Sequence, residues 1–308
     1  MSAEKIKELR RLTGAGFLDC KKVLEETGGD LDKAVNILRE KGLAAAAKKA
    51  GRQTAEGVVT AHISDDGSTA VLVEVNCETD FVAKTDEFQS FAQDIAKHIA
   101  EHNPTDLDSL LKQDFAFGEG TTTEALKNKI AQFGENMSIR RFSRFEPGNT
   151  SVLDAYIHGG GKIGVLAELD CESAQLAADS RVKELAHDLA MHIAASSPVC
   201  HAREDLAEEA VANEKEVLYN QAINEGKKPE IAQQVVKGRL DKFFRQSCLL
   251  EQAFVRDADV TIEELLSNKS KELGGKIKVG FFVRYERGEG IEKAEDDFAA
   301  EVAKLQKD

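Results

Sequence analysis

Apolar residues recur along the chain with two different periods, and the switches between them mark its elements. Ile6, Leu9 and Leu12 share a helical face that Thr13-Gly-Ala-Gly16 interrupts, and Phe17, Cys20, Val23 and Leu24 form a second stripe ended by Thr27-Gly-Gly29. Asp30 is a good N-cap for a third helix carrying Leu31, Ala34, Val35 and Leu38. The stretch 42–57 then lacks large apolar residues after Leu43 and reads as an Ala/Lys-rich, partly helical tether. Beyond it the period drops to two, through GVVTAHI (57–63) and VLVEVN (71–76), which predicts a hairpin with a Gly-containing turn. The helical period returns with Phe88, Phe91, Ala92, Ile95, Ala96 and Ile99 on one stripe.

This hairpin-plus-helix pattern occurs twice. Residues 57–104 align without gaps on 151–198, and 17 of the 48 positions are identical, too many for two unrelated segments. The matches include Gly67/Gly161, Glu74/Glu168, Cys77/Cys171, Asp94/Asp188, His98/His192 and Pro104/Pro198. A third strand closes each copy: MSIRRFSRFEPG (137–148) matches IKVGFFVRYERG (277–288) and shares Arg144/Arg284 and Glu146/Glu286. The offset rises from 94 to 140, so the second copy contains about 46 extra residues. Two long helical patterns, 204–224 and 229–250, are joined there by Glu225-Gly-Lys-Lys228, with Pro229 at N1 of the second. They predict an antiparallel helical hairpin with coiled-coil character.

The fold class expected is therefore α+β. The layout is a ubiquitin-associated-like three-helix domain (1–45), a linker (46–56) and a core of two repeated subdomains with antiparallel sheets. The first subdomain spans 57–150; the second is split into 151–202 and 251–287 by the inserted hairpin 203–250. A C-terminal helical module, 288–308, holds a last amphipathic helix near 291–306.

Composition excludes several function classes. The formal charge is −14, from 55 acids and 41 bases, and basic clusters are short, so no direct nucleic-acid partner is expected. The charged start and the lack of a long apolar run predict neither a leader nor a membrane span. Five dispersed cysteines without a CxxC spacing suit reduced thiols in a cytoplasmic protein. His158-Gly-Gly-Gly161 resembles an oxyanion loop but has no nucleophile elbow to serve, and it aligns with the plain turn Ser64-Asp-Asp-Gly67. His98 and His102 lack further metal ligands, and Asp94–His98 and Asp188–His192 read as i,i+4 pairs near helix ends. No enzyme active site, metal or cofactor is expected.

One segment does not fit a purely structural account. In Cys77-Glu-Thr-Asp-Phe-Val-Ala-Lys84, Val82 and Ala83 correspond to Leu176 and Ala177, apolar in both copies. Asp80 and Phe81 correspond to Ala174 and Gln175. Phe81 is either a hydrophobic staple onto the next helix or an outward anchor for a partner. A Gln in the equivalent place favours the anchor.

Across essentially the whole chain the sequence resembles the elongation factor Ts family, the guanine-nucleotide exchange factors of bacterial translation. TGAGFLDCKK (13–22), EVNCETDFVAK (74–84), FGENMSIRR (133–141), IHGGGKIGVL (157–166) and AMHIAASSP (190–198) carry the resemblance. GKKPEIAQQVVKGRLDKFF (226–244) and GEGIEK (288–293) add to it. The resemblance implies that Thr79, Asp80, Phe81 and Val82 approach the nucleotide site of elongation factor Tu. There they would displace the Mg²⁺ coordination and speed GDP release. It also implies secondary contacts through Gly16, Phe17 and Leu18, through Gly134, Glu135 and Asn136, and through His158 and Gly160. For the 134–136 turn a capping role stands beside the contact, and for His158 a hairpin-only role. Phe17 departs from the Met common in the family. The alternative from another class is a non-catalytic adaptor or scaffold. Self-association is left open by the sequence.

Overall fold

The computed structural model describes residues 3–291 apart from Gly14. The C-terminal helix expected near 291–306 lies outside the described residues. In chain order the elements are α1 (Ala3–Thr13), α2 (Phe17–Glu26), α3 (Leu31–Lys49), β1 (Glu56–Ile63) and β2 (Ala70–Cys77). Next come α4 (Asp80–Ala83), α5 (Asp86–His102), α6 (Leu107–Lys112), α7 (Thr122–Phe133) and β3 (Met137–Phe145). The second copy follows with β4 (Ser151–His158), β5 (Ile163–Cys171), α8 (Ala174–Ala177) and α9 (Ser180–Ser196). The insertion supplies α10 (Glu208–Asn224) and α11 (Pro229–Ser247). A small hairpin, β6 (Ala253–Phe254) with β7 (Asp257–Thr261), leads to α12 (Ile262–Leu273) and β8 (Ile277–Glu286).

Each copy is a three-stranded antiparallel sheet, ordered β1-β2-β3 and β4-β5-β8, so the fold is α+β. The correspondence reaches small irregularities. The third strand slips register after Glu74 in one sheet and after Glu168 in the other. The left-handed C-caps Asn103 and Ser197 also match. Arg144 and Arg284, shared by the two copies, reach the equivalent carbonyls of Ala100 and Ala194 near the ends of α5 and α9. The repeat also extends further back than the sequence comparison detected: α7 and α12 carry matching capping boxes, Thr121/Glu124 and Thr261/Glu264, and end at Gly134 and Gly274.

Strand β2 explains why its sequence is nearly continuous in apolar residues. Val71, Val73 and Val75 face the α5 side, while Ala70 and Leu72 join Val59, Leu166 and Tyr285 in a core between the two sheets. A central strand covered on both faces has no solvent side to make polar. The polar exceptions are Glu74 and Asn76, both fully buried, with the Asn76 amide donating to Glu74. The Glu74 carboxylate accepts from Arg140 (3.0 Å), Arg141 (2.7 Å) and the Gly288 amide (2.7 Å), tying the first sheet to the end of β8. Burial would raise its pKa, but these donors together with Asn76 hold it below the usual carboxylate value.

Two sequence expectations change. The helical part of the tether is the unbroken continuation of α3, and it packs on α7. Its small residues have a packing reason: a Cβ on Gly42 would lie 3.0 Å from that of Ala131. Arg39 pairs with Glu124 at 2.8 Å, and the Lys49 ammonium donates to the Gly134 carbonyl. The Asp94–His98 and Asp188–His192 pairs do not form. His98 and His192 are fully buried, with Nε2 on Gln113 (3.1 Å) and Gln252 (3.0 Å), while Asp188 pairs with Arg256. The helical turn at this depth points each imidazole into the core, where an amide is the cheaper neighbour than a charge. Among the described residues no helix is long and apolar enough to cross a membrane.

Candidate partner-binding site

The segment after β2 forms a single turn of helix, α4, because Thr79 caps it and Ala83 and Val82 anchor it. The Thr79 hydroxyl oxygen accepts from the Val82 amide at 3.4 Å, Ala83 is buried, and Val82 packs on the first core. Phe81 lies on the opposite side of the turn, 81% exposed. Burying a Phe side chain is worth about 1.5–3 kcal/mol, which the free protein forgoes here. The staple reading of Phe81 is thereby removed, since a staple would be packed on α5.

Asp80 is also turned to water. Its carboxylate meets the Lys84 ammonium at 2.6 Å, and that hydrogen bond holds its pKa below the ordinary value, so it is charged at neutral pH. A solvent-exposed pair of this kind is readily exchanged for another partner.

A polar frame holds the base of the turn. The Glu135 carboxylate accepts from both the Thr79 amide (2.9 Å) and the Thr79 hydroxyl (2.6 Å). Glu78 accepts from the Asn136 amide at 2.6 Å, and the Asn136 side chain donates to the Arg52 carbonyl at 2.7 Å. Gly134 is the left-handed C-cap of α7, at φ 75°. The 134–136 turn thus caps a helix and braces α4 at once. Asn136 is buried, so its side chain serves the frame. Cys77, beneath the turn, is a buried thiol whose pKa burial pushes up to about 12.

The other expected contact residues lie apart from this frame. Gly16 is the N-cap of α2, and Phe17 and Leu18, in its first turn, are 50% and 77% exposed. His158 is exposed at the β4–β5 hairpin, with Nδ1 3.0 Å from the Tyr156 hydroxyl. Gly160, at φ 64°, has open space where a Cβ would stand. The neighbouring Gly161 is structural: its carbonyl accepts from the Val59 amide at 2.8 Å, and a Cβ there would lie 2.9 Å from that of Val58. Phe81 stands out when the two copies are compared, whereas the Glu135–Thr79 clamp joins segments distant in sequence. The signal available was Glu135 opposite Gly275 in the same alignment.

Among the described residues no group of three or more His, Cys, Asp or Glu side chains could hold a metal ion. The two-copy body thus holds one asymmetric apolar turn out to solvent, the arrangement of an interface anchor. A family model described as Elongation factor TS matches residues 78–289. Elongation factor Ts of Clostridium botulinum (strain Alaska E43) is 49% identical over 304 residues, covering 99% of this chain and 98% of its own. That of Clostridium perfringens (strain SM101) is 50% identical over 305 residues, with 99% of each chain covered. The chain belongs to the elongation factor Ts family, and its role is nucleotide exchange in translation elongation.

Proposed function

We propose that the chain binds elongation factor Tu·GDP and releases the nucleotide by inserting the α4 turn beside the metal site of that GTPase. Phe81 is the apolar wedge, Asp80 is the charge that disturbs the polar contacts around Mg²⁺, and Thr79 and Val82 hold the turn. The exposure of Phe81 on a braced turn carries this reading, because the equivalent turn in the second copy has Ala174 and Gln175 instead. Mg²⁺ neutralises the β-phosphate and tolerates little distortion of its ligand sphere, so a small displacement there costs the nucleotide much affinity. Coupling of this kind is reciprocal: if the bound factor weakens GDP, incoming nucleotide weakens the factor and expels it. No covalent step is required.

The three N-terminal helices, read as a ubiquitin-associated-type domain, supply a second contact through Gly16, Phe17 and Leu18. The β4–β5 hairpin, through His158 and Gly160, supplies a third, so the body grips the partner at more than one point. The cytoplasm, where the partner works, is the place of action.

The test is the release of a fluorescent GDP analogue from purified elongation factor Tu. Phe81→Ala slows catalysed release at least tenfold, in line with the loss of an interface anchor. Asp80→Ala slows it in the same direction. Release at the unaltered rate in both variants would refute the assignment of this turn.

A further inference from the structure

The two copies build the same turn with different side chains beneath it, and the difference isolates one residue. Both α4 and α8 are single turns, capped by Thr79 on the Val82 amide and by Ser173 on the Leu176 amide. In both, the acid before the cap accepts from the facing amide: Glu78 from Asn136 at 2.6 Å, and Glu172 from Lys276 at 2.9 Å. The turn, its cap and its tie to the third strand therefore need nothing further.

The first copy nevertheless adds a carboxylate. Glu135 stands where the second copy has Gly275, and it grips Thr79 by both the amide and the hydroxyl. The space is arranged to match. Opposite Gly275 lies Leu176, whose Cδ2 would stand 2.9 Å from a Cβ at that position. The first copy has the smaller Val82 at the position of Leu176. Val82 with Glu135 and Leu176 with Gly275 are thus the pairs found at equivalent positions of the two copies, and only the first sets a carboxylate against the turn.

We propose that Glu135 is a positioning residue for exchange: it fixes α4 so that Asp80 and Phe81 are presented in one orientation, without touching the partner. The inference rests on the reading of the α4 turn given above. Two hydrogen bonds to one carboxylate hold the N-cap of a one-turn helix that has few bonds of its own. Presentation in one orientation matters most for the step in which the turn displaces ligands, and less for the encounter, which the other contacts support.

The experiment compares Phe81→Ala, Glu135→Ala and the double variant Val82→Leu/Glu135→Gly, which transplants the pair found in the second copy. GDP release from elongation factor Tu is measured over a range of factor concentrations, alongside thermal unfolding. The double variant is expected to unfold cooperatively near the wild-type temperature. Its maximal release rate falls about tenfold, the order expected for losing hydrogen bonds to a charged acceptor. The factor concentration giving half that rate changes less than threefold, and Glu135→Gln, which keeps an acceptor oxygen, recovers part of the rate. If Phe81→Ala slows release while the Glu135 variants match wild type, the positioning role is overturned and the reading of the turn stands. If Phe81→Ala is also without effect, both fall together. A double variant that no longer unfolds cooperatively overturns the proposal too, since Glu135 would then be needed by the fold itself.

Discussion

At the residue scale, the same histidine appears twice with the same job. His98 Nδ1 accepts from the Ala116 amide at 3.3 Å, and His192 Nδ1 from the Val255 amide at 3.2 Å. Protonating either ring would set one N–H against another. Burial lowers the pKa of both, with the neighbouring His102 adding to the effect at His98. The unfolded chain titrates near the ordinary value of about 6.5, so below that pH it binds protons that the folded protein refuses. The stability these neutral rings contribute is complete above that value and is lost as the pH falls. The thermal midpoint is expected to drop steadily between about pH 7 and pH 5; a midpoint independent of pH across that range would contradict it. Neither role was legible in the sequence, where Asp94 and Asp188 four residues earlier offered a plainer partner. Which way a helical side chain faces decides between them, and that depends on tertiary packing.

At the scale of elements, the inserted hairpin is a module with its own seam. Leu218 and Ala222 of α10 and Ala232 and Val236 of α11 are buried, whereas Val217 and Ile231 face water. Helix α11 ends at Ser247, and beyond it Cys248 and Leu249 are fully buried, Leu249 in the second core. Removing 205–246 and closing the gap with a short Gly/Ser linker should leave cooperative unfolding intact, as measured by circular dichroism on heating. Loss of the cooperative transition would show that the hairpin supports the core. Most elements were readable in advance. Alternation marked the strands, Gly and Pro marked the breaks, and the internal repeat checked the assignments within the two copies. What escaped was docking: the Ala-rich run after Leu43 looked like a tether because small residues carry no hydrophobic period. Gly42 lets α3 approach α7 closely, and Ala46 is buried in the first core. The candidate site was half legible in the same way. Phe81 stood out against Gln175, but the Glu135–Thr79 contact joins residues 56 apart in sequence and appears only when the chain is folded.

At the scale of the whole molecule, the two copies act as one body because their sheets share a core and a polar lock. Val59, Leu72, Leu166 and Tyr285 fill the space between the sheets, and Arg287 pairs with Glu56 at 2.8 Å across the joint. Gly164 sits where the sheets come closest: a Cβ there would lie 2.4 Å from Val59 Cγ1 and 2.9 Å from Leu72 Cδ1. Gly164→Val should force the sheets apart and cost about 1–3 kcal/mol, the usual range for overpacking, seen as a lower thermal midpoint. An unchanged midpoint would mean that the joint is looser than these distances imply. This shared core gives the asymmetry of the copies its meaning, since the α4 turn and the β4–β5 hairpin belong to sheets packed on each other. One copy keeps a plain turn and the other exposes an acid and an aromatic. The measurement that bears most directly on the account replaces Asp80-Phe81 with the pair found at 174–175, as Asp80→Ala/Phe81→Gln, a sequence the fold already accepts. GDP release from elongation factor Tu, followed by stopped-flow fluorescence at saturating factor, is expected to fall at least tenfold with thermal unfolding unchanged. Release at the wild-type rate by that folded variant would contradict the claim that this turn performs the exchange.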